Sequence, residues 1–153
     1  QNNLDSIYID DLKNKIDKNL FSTFISFIPR KSIFTRLKKN IDKRGNFIEY
    51  LKSERFGQVS IFTIKKNRER GGHYHNSKVE KFLIIKGKAK LIFKNVLSNK
   101  YFSKKVSGEN SQIFHSVPGW MHTIKNVGNT DIVGIVWANE IFNKNKTDTY
   151  LVK

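Results

Sequence analysis

From Ile33 onward the chain is a succession of short alternating runs punctuated by turn residues, and that rhythm constrains the fold more than any other feature. Side chains alternate across a β-strand, so Gln58-Val59-Ser60-Ile61-Phe62-Thr63-Ile64 sets Gln58, Ser60 and Phe62 on one face. The same reading predicts strands over Ile33–Asn40, Phe47–Lys52, Lys81–Lys86, Ala89–Phe93, Ser111–Ser116, Thr123–Val127 and Ile132–Ala138, and a hairpin over Leu97–Val106. Turn chemistry falls between them at Asp42–Asn46, Glu54–Gly57, Gly87, Ser107–Asn110 and Gly128-Asn129. Short strands at roughly 8–12-residue spacing predict an all-β sandwich or barrel. Ahead of them, Ile9, Leu12, Ile16 and Leu20 recur at helical spacing and predict an amphipathic helix over Asp10–Leu20. Phe21–Ile28 reads equally as a helix end or a strand, stopped by Pro29. The expected organisation is a partly helical arm over residues 1–30, packed on the barrel or across a dimer, and a β domain over residues 31–153.

One stretch in this pattern carries chemistry. Gly71-Gly72-His73-Tyr74-His75-Asn76-Ser77-Lys78-Val79-Glu80 places two histidines on the same strand face, with Tyr74 opposite. Glu80 joins that face only if Asn76–Val79 turns, and Asn76 and Ser77 supply turn chemistry. Downstream, Val117-Pro118-Gly119-Trp120-Met121-His122 offers a third imidazole just past a Pro-Gly turn. Each histidine alone reads as surface or core. Together His73, His75, Glu80 and His122 form a donor set suited to a divalent transition metal, and they use three of the chain's 4 histidines.

Composition narrows the alternatives. At 153 residues the chain has the length of one domain with a real core. No apolar run approaches the roughly 18–20 residues that span a bilayer. The N-terminus is polar and acidic rather than a signal peptide, and the first residue, Gln1, suggests a piece of something longer. The absence of cysteine excludes disulfides and thiolate chemistry and fits a cytoplasmic setting. Lysine and arginine number 29 against 13 acidic residues, a net charge of +16 that invites a nucleic-acid reading. The lysines are scattered, as at Lys38-Lys39, Lys65-Lys66 and Lys104-Lys105, and no aromatic stacking platform accompanies them. That scatter argues against nucleic acid as the partner, and the charge suits a smaller anion, such as a nucleotide diphosphate.

The run His73-x-His75-x4-Glu80-x6-Gly87, with Pro118-x3-His122-x3-Asn126 after it, resembles the two cupin motifs. Asn67 and Gln112 stand where the leading motif glycines are usual, departures that touch turns rather than ligands. The resemblance implies a double-stranded β-helix, a jelly-roll barrel with the metal in its mouth. Arg44-Gly45, Gly57–Ser60, Arg70–His75, Lys78–Phe82 and above all Trp137-Ala138-Asn139-Glu140-Ile141-Phe142 narrow it further. Over roughly Ser22 to Tyr150 the chain is similar to the C-terminal cupin domain of the bifunctional UDP-sugar reductase/epimerase of bacterial capsule and O-antigen synthesis. That family implies zinc in the cupin domain and epimerisation of a UDP-2-acetamido-2,6-dideoxy-hexos-4-ulose beside its keto group. It also implies an N-terminal reductase domain using a nicotinamide cofactor. The chain itself has neither a G-x-G-x-x-G opening nor βαβ alternation.

Epimerisation beside a ketone needs a Lewis acid for the developing oxyanion and acid–base groups to move the proton. For the second task the sequence offers His115, Tyr50, Glu49 and Lys78, with no winner among them. Gln58, Ser60, Tyr74 and Trp137 are candidate substrate-orienting groups, though Trp137 reads more readily as a cavity wall or core residue than as a sugar-stacking platform. Two other readings stand beside the epimerase: a non-catalytic sugar-binding or dimerisation cupin, and a metal cupin with other isomerase or oxygenase chemistry.

Overall fold

The computed structural model describes residues 7–9, 12–98 and 100–152. Alternation along the chain becomes two antiparallel sheets packed face to face. The first sheet has the order β1 (Lys39–Asp42), β2 (Gly45–Ser53), β3 (Gly57–Ile64), β10 (Ile132–Ala138), β5 (Glu80–Lys86), β8 (Ile113–His115). The second runs β11 (Tyr150–Leu151), β4 (Glu69–Tyr74), β9 (Trp120–Asn126), β6 (Lys88–Asn95), β7 (Tyr101–Ser107). Each inner face contributes one stripe to the core: Phe62 and Ile64 from β3, Phe82 and Ile84 from β5, Ile132 and Val136 from β10. Ala89, Leu91, Phe93, Val106 and Ile124 answer from the other sheet. Burying such side chains stabilises by about 1.5–3 kcal/mol each. The arrangement is a cupin-type double-stranded barrel with an N-terminal helix, the predicted fold class.

β3 keeps the predicted alternation: Gln58, Ser60, Phe62 and Ile64 are all buried. Its inward face therefore changes from polar to apolar along its length, and the polar end lies where the barrel opens. Asn67, in place of a motif glycine, adopts the left-handed conformation with φ 59° that a glycine would tolerate.

Two strand expectations give way. Only the end of Ile33–Asn40 becomes strand, because pairing starts at Lys39 opposite Ile48. Arg30–Ser32 is a 3₁₀ turn, and Phe34 is exposed, with no sheet to pack against. Leu97–Val106 is not a hairpin: Asn95 Oδ1 accepts from the amides of Leu97 (3.1 Å) and Ser98 (2.8 Å), closing a turn. Beyond that turn, β7 pairs back onto β6 from Lys94↔Tyr101 to Lys88↔Ser107.

At the N-terminus the helix α1 spans Lys15–Ser26. Asn14 caps it, its side chain accepting from the Asp17 amide at 2.9 Å, while the Asp17 carboxylate accepts from the Asn14 amide at 3.3 Å. Helix thus continues through the ambiguous Phe-rich stretch to Ser26. Of the expected Asp10–Leu20 helix, Asp10 and Asp11 lie outside the described residues. None of the α1 residues is buried. Among the described residues no helix is long and apolar enough to cross a membrane.

Candidate metal centre

The four donors arrive from both sheets. β4 and β9 are hydrogen-bonded neighbours, and their register sets His73 directly opposite His122. That register depends on an irregularity between Gly71 and His73. Gly71 has φ +111°, and a Cβ there would collide with the His122 carbonyl and lie 2.8 Å from Thr123 Cα, so only glycine lets the strands approach. His75 lies just past β4 and sits with its ring 5.0 Å from that of His73 and 5.4 Å from that of His122, while His73 and His122 are 4.8 Å apart. Glu80 opens β5 in the facing sheet. Ser116 fixes it there, its Oγ accepting from the Glu80 amide at 2.7 Å.

One ligand atom from each of the four residues lies within 4.8 Å of all the others. Glu80 Oε2 is 3.1 Å from His75 Nε2 and 3.3 Å from His122 Nε2. Donors around a tetrahedral ion at roughly 2.0–2.1 Å would be about 3.3 Å apart, so these contacts fit a cation of that size. The hydrogen bonding points the same way. His75 Nδ1 meets the Asp148 carbonyl, which only accepts, so His75 carries its proton on Nδ1. In the neutral ring Nε2 is then a bare lone pair facing a carboxylate oxygen. Such a pair needs a proton or a cation between its members. His122 Nδ1 is buried with no hydrogen-bond partner among the described residues, at a cost of about 1–3 kcal/mol, but it lies across the ring from the Nε2 that faces Glu80 and so bears on the ring's burial rather than on the ion. Donor type, spacing and polarity all fit a divalent transition metal.

Electrostatics keep the site ready to bind. Burial, with the neighbouring His122 and His75 rings, lowers His73 from 6.5 to about 4, so that ring is neutral at physiological pH. Burial alone would raise Glu80, but a hydrogen bond with His122 and the nearby Lys78 ammonium outweigh it and hold the carboxyl below its usual range.

The cluster forms the floor of a two-part cavity. The inner part, about 140 Å³, is bounded by Arg44, Phe47, Phe62, Arg70, Phe82 and Val136 beside the cluster. The outer part, about 400 Å³, shares Arg44, Phe47, His73, Glu80 and Val136 with it and reaches the exposed Glu140 and Phe142. Of the residues singled out by sequence, Glu49, Lys78, Gln58 and Ser60 line this outer part. Gln58 Nε2 donates to Ser60 Oγ at 3.0 Å, and Gln58 Oε1 accepts from the Phe142 amide at 3.2 Å. Glu49 pairs with Lys52 at 2.9 Å, and Lys78 Nζ is 3.8 Å from Glu80 Oε1.

The other four lie away from the cavity lining. Tyr50 is exposed on β2, where the register with β3 shifts between Glu49 and Leu51. His115 sits on the edge strand β8 opposite Lys81, one residue out of phase with the inward Glu80 and Phe82. Tyr74 stacks on Tyr150, rings 5.3 Å apart. Trp137 Nε1 donates to the Phe56 carbonyl at 2.6 Å, on the opposite face from the cavity-lining Val136 and Ala138. Conversely, sequence reasoning assigned no site role to Asp148, whose carboxylate accepts from three consecutive amides beside the cluster, or to Arg70, whose guanidinium donates to the carbonyls of Thr63 and Asn46 at 3.1 Å each. Burial would raise the Asp148 carboxyl, but the amides of Asn76, Lys78 and Ser77 hold it below its usual range.

Two facing sheets and a histidine-rich floor to the barrel mouth define a cupin with a site suited to a metal. Within that class, the chain belongs to the polysaccharide biosynthesis C-terminal domain family, which it matches over residues 40–150. It is 44% identical over 135 residues to the UDP-2-acetamido-2,6-beta-L-arabino-hexul-4-ose reductase of Pseudomonas aeruginosa, covering 88% of this chain and 36% of that protein. It is similar to the capsular polysaccharide assembling protein CapF of Staphylococcus aureus, at 35% identity and TM-score 0.94 over 99% of this chain and 41% of that one. An oxalate decarboxylase of Lactobacillus farciminis shares the fold alone, at 17% identity and TM-score 0.59 over 70% of this chain and 32% of that one. The chain thus spans less than half the length of the enzymes it resembles.

Proposed function

We propose that the cluster holds a divalent transition metal, zinc by its donor set, and that the chain epimerises a UDP-2-acetamido-2,6-dideoxy-hexos-4-ulose at the carbon beside its keto group. Its setting would be the cupin part, residues 31–153 behind an arm of residues 1–30, of a cytoplasmic, homodimeric reductase/epimerase of surface polysaccharide synthesis. The nicotinamide cofactor would belong to the reductase domain. The resemblance to the P. aeruginosa reductase and to CapF supports the substrate class. One observation carries the metal reading: two imidazole nitrogens converge on a single carboxylate oxygen at 3.1 and 3.3 Å, at the floor of an open cavity.

His73, His75, His122 and Glu80 would hold the ion, which supplies Lewis-acid stabilisation of negative charge on a ketone oxygen, worth several kcal/mol. The remaining work falls to side chains along the outer cavity. Glu49 takes the proton from the carbon beside the ketone while the C–H electron pair moves toward the carbonyl. Lys78, held between Glu80 and Thr149 Oγ1 (3.4 Å), returns a proton to the opposite face. Such acid–base help is typically 10²–10⁴-fold. Gln58 and Ser60, fixed to each other, offer a hydroxyl and an amide for orienting the sugar. Phe47, Phe62 and Val136 restrict water on the inner side.

Deuterium wash-in at that carbon, in heavy water and without reductant, tests the reading. Wash-in that needs bound metal is expected. Full wash-in by metal-free protein would end the Lewis-acid account, and no wash-in at any metal loading would leave a binding module.

A further inference from the structure

Residues 148–152 run as a strap along the first motif. Val152 donates to the Gly72 carbonyl at 3.2 Å, and Tyr150 and Leu151 pair with Tyr74 and His73. Thr149 accepts from Lys78, and Asp148 closes over the loop between His75 and Glu80. Its carboxylate accepts from the amides of Asn76 (2.9 Å), Ser77 (2.7 Å) and Lys78 (2.7 Å) and from Ser77 Oγ (3.0 Å). Meanwhile its own main-chain carbonyl meets His75 Nδ1. Side chain and carbonyl thus act on one short loop: the first fixes the backbone that carries His75 toward Glu80, the second fixes which ring nitrogen bears the proton.

We propose that Asp148 is a positioning residue that locks His75 as the Nδ1–H tautomer and so presents its Nε2 lone pair to a metal ion. The claim rests on the metal reading above for its consequence, but the proton on Nδ1 belongs to the metal-free protein too, where a second proton between Nε2 and Glu80 takes the place of the cation. A carbonyl cannot donate, so no other neutral tautomer satisfies that contact. Outer partners that orient a ligating imidazole in this way typically govern metal affinity by 10–100-fold. Glu80 contributes the second constraint, because the loop must turn by a fixed amount to bring its oxygen to 3.1 Å from Nε2.

The test pairs two measurements on the full chain. Long-range ¹H–¹⁵N histidine spectra of metal-free protein report the His75 tautomer, and competition against a chromophoric chelator reports zinc affinity. Wild type is expected to show Nδ1–H at His75. Asp148→Ala should show mixed tautomers and bind zinc 10–100-fold more weakly. Asp148→Asn keeps one acceptor oxygen and the side-chain volume, so it folds as wild type does and falls between the two. A merely structural role would lower the melting temperature while leaving tautomer and zinc affinity alone, and that result overturns the proposal. So does a wild-type ring with no proton on Nδ1. A wild-type chain that binds no zinc removes the metal reading, and the tautomers of the metal-free variants then still decide for or against Asp148.

Discussion

Lowering the pH of metal-free protein from 7 to 4 should destabilise it through His73, and the site sets the size of the effect. Folding holds His73 near 4 where the free side chain titrates at 6.5, chiefly because burial disfavours the imidazolium. The unfolded chain therefore takes up a proton first as the pH falls. Stability is complete above about 6.5 and is lost as the pH falls through that value toward 4, at up to about 1.4 kcal/mol per pH unit for one proton. The gap corresponds to about 3 kcal/mol, a large share of an ordinary domain's 5–15. Glu80 and Asp148 act lower, since both carboxyls are held below their free values of 4.5 and 3.8. Their contribution is present above those values and fades only as the pH falls further. Denaturant unfolding with chelator present, at half-unit pH steps for wild type and His73→Gln, separates the two windows. The variant should flatten the curve between 6.5 and 4 and keep the steeper acid limb. An equal slope for both proteins across that interval would refute the argument, because the proton would then belong to another group.

Glu49→Gln and Lys78→Met should keep the metal and slow deuterium wash-in by roughly 10²–10⁴-fold, read by mass spectrometry of the recovered sugar. His115→Ala and Tyr50→Phe, outside the cavity lining, should leave metal content and wash-in near wild type. Gly71→Ala should cost more than about 1 kcal/mol, seen as a lower unfolding midpoint, and should weaken zinc binding as well, because the added carbon displaces β9 at His122.

How much of this was legible in the sequence depended on how local the cause was. β10 spans Ile132–Ala138 as predicted, because alternation and flanking turn residues are properties of neighbours in the chain. The donor quartet was legible for a different reason: histidine is scarce here, and His-x-His with a carboxylate five residues on is a dense signal. Ile33–Asn40 failed because strand-forming residues make a strand only where a partner strand lies beside them, and pairing begins at Lys39. The hairpin over Leu97–Val106 failed because Asn95 closes the turn earlier than the apolar pattern indicated. Asp148 carried no signal at all: it acts on Asn76 across 72 positions of sequence, through hydrogen bonds that no local pattern encodes. His115 and Trp137 show the limit of counting alternation alone, since one residue of phase separates a cavity wall from the outer face.

The most direct measurement is metal binding by the intact chain. Titration of metal-free wild type and His122→Ala with cobalt(II), monitored by its visible absorption, reads both stoichiometry and coordination. One ion per chain for wild type, with a spectrum that shifts on binding and is abolished by His122→Ala, is the predicted result. A wild-type chain with no saturable binding, or a His122→Ala chain that binds with the same spectrum and affinity, would contradict it.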